Sequence, residues 1–244
     1  MINQPQITKG NIDMNNIIGI IAAMDSEIAA IKSSMTNTTT ETVSGIDFVR
    51  GSFSGKEVVV AKCGIGKVFA AICAQTMILK YDPRLVINTG VGGTLTDKLG
   101  IGDIAVACDV VQHDMDTSPL GDPVGLVSGI NVVHFPADSR AVELISEASE
   151  SLGINNVKGT VASGDQFIAS KEKKNCIVNN FGAIACEMEG AAIGHVCYVN
   201  ATPFAVIRAI SDSADDSSHM DYGEFLKIAA ERSFNVVTRF VKEY

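Results

Sequence analysis

No two of the six cysteines, at 63, 73, 108, 176, 186 and 197, stand at C-x-x-C spacing, and no Cys/His ligand cluster occurs. That spacing gives no support to a zinc ribbon or a redox dithiol. Most of these cysteines sit in apolar runs and read as small core residues in a reduced compartment, so a cytoplasmic protein is expected. The four histidines (113, 134, 195 and 219) are scattered, and the spacing predicts neither a metal nor a cofactor. No apolar run approaches the roughly 18 residues of a membrane span. Residues 1–16 are polar and have no hydrophobic h-region, so they read as a flexible tail before a single domain over 17–244. There is no G-x-S-x-G elbow, P-loop or dinucleotide fingerprint, which argues against a serine hydrolase, a P-loop enzyme and a Rossmann dehydrogenase. Basic residues are in short supply: 19 Lys and Arg face 28 Asp and Glu, a net charge of −9. Such a chain repels nucleic acid and anionic membranes, and a small-molecule partner is the better expectation.

What is present is 244 residues, 46% of them hydrophobic, enough for a large core and without linker or repeat. Residues 17–23 read as a strand feeding a helix over 25–35. Residues 46–53 and 57–62 read as a hairpin turning at Ser54-Gly55. The stretch 67–81 is apolar on nearly every face and predicts a helix buried from more than one side. A strand at 85–88 leads into a glycine-rich turn at 89–93, and 103–112 is again β-rich. After a loop over 115–129 comes an amphipathic helix at 138–152, with Val142, Ile145 and Leu152 inward. A strand at 157–162, a helix at 171–179, a strand end at 184–186 and a helix at 188–198 follow. A buried strand at 203–210 precedes a last helix that opens at Asp221 and aligns Phe225, Ile228, Ala229, Val236 and Phe240. Alternation of strands and helices predicts an α/β fold, a single three-layer domain around a central mixed sheet that curls.

Carboxylates stand beside apolar runs at Glu187 and Glu189, at Asp212, and at Asp25 and Glu27, where a charge is costly to bury without partners or a task. In such a sheet, ligands bind at the carboxyl ends of strands. Five segments fall there: 24–27, 89–94, 163–168, 187–189 and 211–212. Taken alone, Asp212 reads equally as a turn cap or as a general acid whose pKa is raised by burial. Glu27 taken alone reads as an acid in the first turn of a helix, and Glu189 reads the same way, though that leaves its neighbour Glu187 unexplained. The turn at 89–94 can cradle an anion on its amides, though without a P-loop's spacing.

Taken together and in order, these segments carry a resemblance. They are Ile18-Gly19-Ile20-Ile21-Ala22-Ala23-Met24-Asp25-Ser26-Glu27, Gly64-Ile65-Gly66-Lys67-Val68, Asn88-Thr89-Gly90, Gly102-Asp103, Ser163-Gly164-Asp165-Gln166-Phe167-Ile168, Glu187-Met188-Glu189 and Arg208-Ala209-Ile210-Ser211-Asp212. The chain resembles the methylthioadenosine/S-adenosylhomocysteine nucleosidases of the nucleoside phosphorylase-like superfamily from residue 17 to its C-terminus. The resemblance implies a partly barrel-like mixed sheet, a homodimer, and hydrolysis of an adenosine-type thioether to adenine and a thioribose. It implies that Asp212 protonates the departing adenine and that Glu27 activates water on the opposite face of the sugar. It further implies that Glu187, Met188 and Glu189 bind the ribose side together with Met24 and Val91, Glu189 gripping the hydroxyls. Phe167 and Ile168 would hold the base, and Tyr222 would close over the 5' group. Ser211 would orient Asp212, and Arg208 would orient Glu27. Thr117 and Leu120 would reach the 5' pocket of a neighbouring subunit. The common Thr-Gly-Ser-Ala-Gly-Gly turn here reads Thr89-Gly90-Val91-Gly92-Gly93-Thr94, so Val91 removes a hydroxyl. Two alternatives stand beside this reading: a related hydrolase of another adenine nucleoside, such as an aminodeoxyfutalosine, and, as runner-up, the purine nucleoside phosphorylases. Their phosphate needs cations at the nucleophile position, where this chain offers Asp25 and Glu27.

Overall fold

The computed structural model describes residues 16–215 and 218–244, without the side chains of 218–224. The tail expected over 1–16 lies outside the described residues except for Asn16, and so does the side chain of Tyr222.

Strand β1 (Ile18–Ala22) is buried along its whole length and passes directly into α1 (Asp25–Ser33). Next come β2 (Thr36–Val43), β3 (Ile46–Phe53) and β4 (Lys56–Lys62), a meander of antiparallel pairs that joins β1 through parallel β4. Helix α2 (Lys67–Tyr81) leads to β5 (Leu85–Thr94), then β6 (Ile104–Gln112), a 3-10 turn at Ser118–Leu120 and the short β7 (Phe135–Pro136). The chain continues through α3 (Ser139–Ser151), β8 (Asn156–Ser163), α4 (Lys171–Phe181), β9 (Ala185–Glu187), α5 (Gly190–Val199), β10 (Phe204–Asp212) and α6 (Ser218–Glu243).

The ten described strands form one mixed sheet, nine of them in the order β10-β6-β8-β9-β5-β1-β4-β3-β2 and β7 paired with β6 off this path. A second pairing of β10 with β5 closes five of them into a barrel-like ring. Closure explains why β5 is buried at all ten positions: it is hydrogen-bonded within the ring and to β1, and covered on both faces. One core layer packs Cys73, Met77 and Ile193 of α2 and α5 against the sheet. The other packs Ile28, Ile145, Val236 and Phe240 of α1, α3 and α6 against its opposite face. The sheet is therefore the middle of three layers.

Three local expectations need correction, and one strand had no expectation to meet. The glycine-rich segment 89–93 is not a turn but the second half of β5. Helix α2 is buried on one face only, leaving Val68, Phe69, Ile72 and Leu79 exposed. Leu152 and Ile228, expected inward, are exposed, because Leu152 is the C-cap of α3 and Ile228 sits off the face that carries Ala229 and Val236. Strand β2 gave no apolar alternation to find: seven of its eight positions are exposed, and pairing with β3 holds it.

Candidate active site

The second half of β5 forms a floor between two carboxylates. Glu27 occupies the third position of α1 and turns back, accepting the Met24 and Ala23 amides at 2.9 and 3.0 Å. Its other oxygen accepts the Val91 amide of β5 at 3.0 Å. A Cβ at Gly90 would lie 2.6 Å from that oxygen, so only glycine lets the carboxylate rest on the strand. Burial pushes the Glu27 carboxyl above its ordinary value, against the pull of Arg208 and the three amides.

Asp212 ends β10 opposite Gly93, just past a register irregularity after Ile210. It is 3% exposed and accepts the Ser211 hydroxyl at 3.0 Å and the Ala214 amide at 2.9 Å. A Cβ at Gly93 would lie 2.7 Å from its Oδ1 and 2.9 Å from the Ala214 Cβ. The strand leaving Asp212 is tied from α4, where Lys174 Nζ donates to the Ser213 carbonyl at 2.7 Å. Glu27 and Asp212 thus rest on anchor points two to three residues apart along β5, roughly 7–10 Å.

Between them lies a buried ionic cluster. Arg208, among the largest fully buried side chains, donates to Glu187 and to the Asn88 side chain through Nη2, and to the Ile207 carbonyl at 2.9 Å through Nη1. Its partner is Glu187, so the expectation that Arg208 orients Glu27 is corrected: its effect on Glu27 is its charge alone. Glu187 also accepts the Ser163 hydroxyl and the Glu189 and Gly190 amides, at 2.9 and 2.7 Å for the amides. Burial works against the ionised Glu187, but Arg208 and these donors overcome it and hold its carboxyl below the usual range. Glu187 thus caps the start of α5 and holds Arg208. Glu189 has fewer partners: the Gly66 amide at 2.8 Å, with Arg208 at 4.0 Å. Burial and the neighbouring charge of Glu187 push it up to about 7.

These groups open onto one cavity of about 840 Å³, counted with its mouth. Met24, Glu27, Val91, Phe167, Ile168, Glu187, Met188, Glu189, Ser211 and Asp212 all line it, so strand ends far apart in sequence converge as expected. Arg208 stands behind this wall. Thr117 and Leu120 do not line it; Leu120 is 83% exposed, and the Thr117 hydroxyl donates to Asp122 at 2.8 Å. The sequence reading assigned no individual role to Ile65, Gln166 and Cys186, which stand in the wall, or to Asn88 and Ser163 behind it. Asn88, a polar residue inside an apolar run, was the detectable one. No Lys or Arg lines the cavity among the described residues, nor do they place three or more His, Cys, Asp or Glu where they could hold a metal ion.

Residues 17–242 match the phosphorylase superfamily. A 5'-methylthioadenosine/S-adenosylhomocysteine nucleosidase of Shewanella loihica is 41% identical over 227 residues, which cover 92% of this chain and 98% of that protein. The chain belongs to this nucleosidase family. Solved structures agree with the assignment. The Neisseria meningitidis nucleosidase in complex with methylthio-immucillin-A superposes with a TM-score of 0.91 at 34% identity, covering 94% of this chain and all of that one. A futalosine hydrolase of Helicobacter pylori gives 0.90 at 35% identity, over 95% and 99% of the two chains.

Proposed function

We propose that this nucleosidase-family chain hydrolyses the N-glycosidic bond of 5'-methylthioadenosine and S-adenosylhomocysteine, releasing adenine and the thioribose. In this reading Asp212 gives a proton to the departing adenine, so the base need not leave as an anion. Glu27, pushed up in pKa by burial, accepts a proton from water on the far side of the sugar. Ionised Glu189 accepts the ribose hydroxyls and favours the cationic character that the sugar develops. Phe167 stacks on the base, the Ile168 backbone reads its edge, and Met24, Val91 and Met188 wall the ribose.

The observation that carries this reading is the pairing of Glu27 and Asp212 across one cavity whose described wall has no cation. A phosphorylase must hold phosphate, and the nearest buried cation, Arg208, is already engaged by Glu187 and Asn88. The purified protein, given methylthioadenosine, S-adenosylhomocysteine, aminodeoxyfutalosine and inosine with and without phosphate, should release adenine from the first two at rates independent of phosphate. A sugar 1-phosphate product would establish phosphorolysis instead. Preference for aminodeoxyfutalosine would support the second reading, favoured by the likeness to futalosine hydrolase.

The apolar residues exposed on α2 (Val68, Phe69, Ile72 and Leu79) support a homodimer built on that helix, a second copy covering the face that one chain leaves open. Thr117 and Leu120 would then reach the partner's 5' pocket. Six free cysteines suit a reducing cytoplasm.

A further inference from the structure

Two sequence motifs, residues 64–67 and 163–165, meet at the start of α2. The Lys67 amide donates to Asp165 Oδ1 at 2.7 Å. The Lys67 ammonium pairs with Asp114 Oδ1 at 2.6 Å and donates to Gln112 Oε1 at 3.2 Å. Asp114 Oδ2 in turn accepts the Asp165 amide at 2.9 Å, which closes a ring of three residues from three segments. The ion pair is mostly buried, with side chains 19% and 15% exposed. One residue before Lys67, the Gly66 amide donates to Glu189. Gly66 has φ +99°, and a Cβ there would lie 3.0 Å from Asp165 Oδ1, so glycine keeps both amides open to their carboxylates. The helix start therefore gives two otherwise unsatisfied amides to two acids. One acid is on the sugar side of the cavity. The other begins the loop that carries Phe167 and Ile168 to the base side.

We propose that Lys67, Asp114 and Asp165 form a clasp that holds the 165–168 loop in register with Glu189 and thereby sets nucleoside affinity. The inference rests on the nucleoside reading above. None of the three lines the cavity, so they are positioning residues. Glu27 and Asp212 take their hydrogen bonds from Ala23, Met24, Val91, Ser211 and Ala214, independently of the clasp. Opening the clasp should therefore weaken the grip on substrate and transition state alike, raising KM while sparing kcat.

Asp165 is exposed, so its variants should fold, which thermal unfolding checks. Asp165→Ala is expected to raise KM for methylthioadenosine about tenfold with kcat within about twofold. Asp165→Asn keeps an acceptor for the Lys67 amide and should stay within about twofold of the wild type in both. The double variant Lys67→Met/Asp165→Ala should lose no more than the worse single one, because both break the same ring. An unchanged KM in Asp165→Ala, a fall in kcat at constant KM, or additive losses in the double variant would overturn the clasp. If the wild type released no adenine from either thioether nucleoside, the hydrolytic reading would fail by itself. The clasp would then be judged by adenine affinity in calorimetry, where Asp165→Ala should bind at least about fivefold more weakly than Asp165→Asn. Equal affinities would overturn it.

Discussion

At Glu189 the proposed binding role and stability make opposite demands. An ionised carboxylate suits the ribose hydroxyls, yet burial beside Glu187 pushes its pKa up to about 7. Because the folded value lies above the unfolded one, the protein loses stability as pH rises from about 4.5 to about 7, by something on the order of 1–3 kcal/mol. Glu189→Gln keeps an acceptor for the Gly66 amide and removes the charge. It should raise the thermal midpoint by several degrees at pH 8, with most of the gain gone by pH 5, while nucleoside affinity falls. An equal gain at both pH values would contradict the electrostatic cause. The same titration should shape catalysis: kcat/KM should fall as pH drops below about 7, where Glu189 takes up a proton, and the upward shift of Glu27 acts in the same direction. A flat profile between pH 5 and pH 8 would count against both roles. Val91→Ser, which puts a hydroxyl on the cavity wall at the residue whose amide binds Glu27, should raise activity; unchanged kinetics would deny that the hydroxyl matters. The acids themselves were legible in the sequence, because a carboxylate beside an apolar run needs a reason. Their partners were not. Arg208 pairs with Glu187 across 21 positions, and nothing in that spacing distinguishes it from a pairing with Glu27.

Among the elements, β5 accounts for the site more than any other. Its glycines read in sequence as a turn because glycine weakens strands. In the barrel-like ring they stay extended, since Gly90 and Gly93 are where carboxylates from α1 and β10 come within contact of the strand. Gly93→Ala would push a methyl into Asp212 and Ala214. It should lower kcat about a hundredfold or more, a far larger effect than the modest drop in thermal midpoint that a local shift at a strand end produces. Near-wild-type turnover in that variant would show that Asp212 need not rest there. The other elements were mostly legible, because strand and helix periods alternate cleanly through residues 17–33 and 156–212. Strand β2 was not, because its Thr-rich face has no apolar period. The ring closure between β5 and β10 was also invisible, being a pairing of strands more than a hundred residues apart.

For the whole molecule, the open face of α2 and the active site share one helix: its first amides hold Glu189 and Asp165, and its exposed flank carries Val68, Phe69, Ile72 and Leu79. A charge on that flank, as in Phe69→Asp, should convert the proposed dimer to monomers in sedimentation velocity. A wild type that sediments as a monomer would remove the dimer from the account. The sequence did show that α2 is apolar on nearly every face. Only the folded chain shows that its own layers cover one side. In the proposed pairing Asp212 protonates the purine while Glu27 readies water across the same cavity. The most direct test of this pairing is adenine release from 5'-methylthioadenosine in phosphate-free buffer by Glu27→Gln and Asp212→Asn, each measured beside its affinity for the nucleoside. Both variants should lose about a hundredfold or more in kcat while still binding. Either one turning over within about threefold of the wild type would contradict the assignment of proton transfers to this pair.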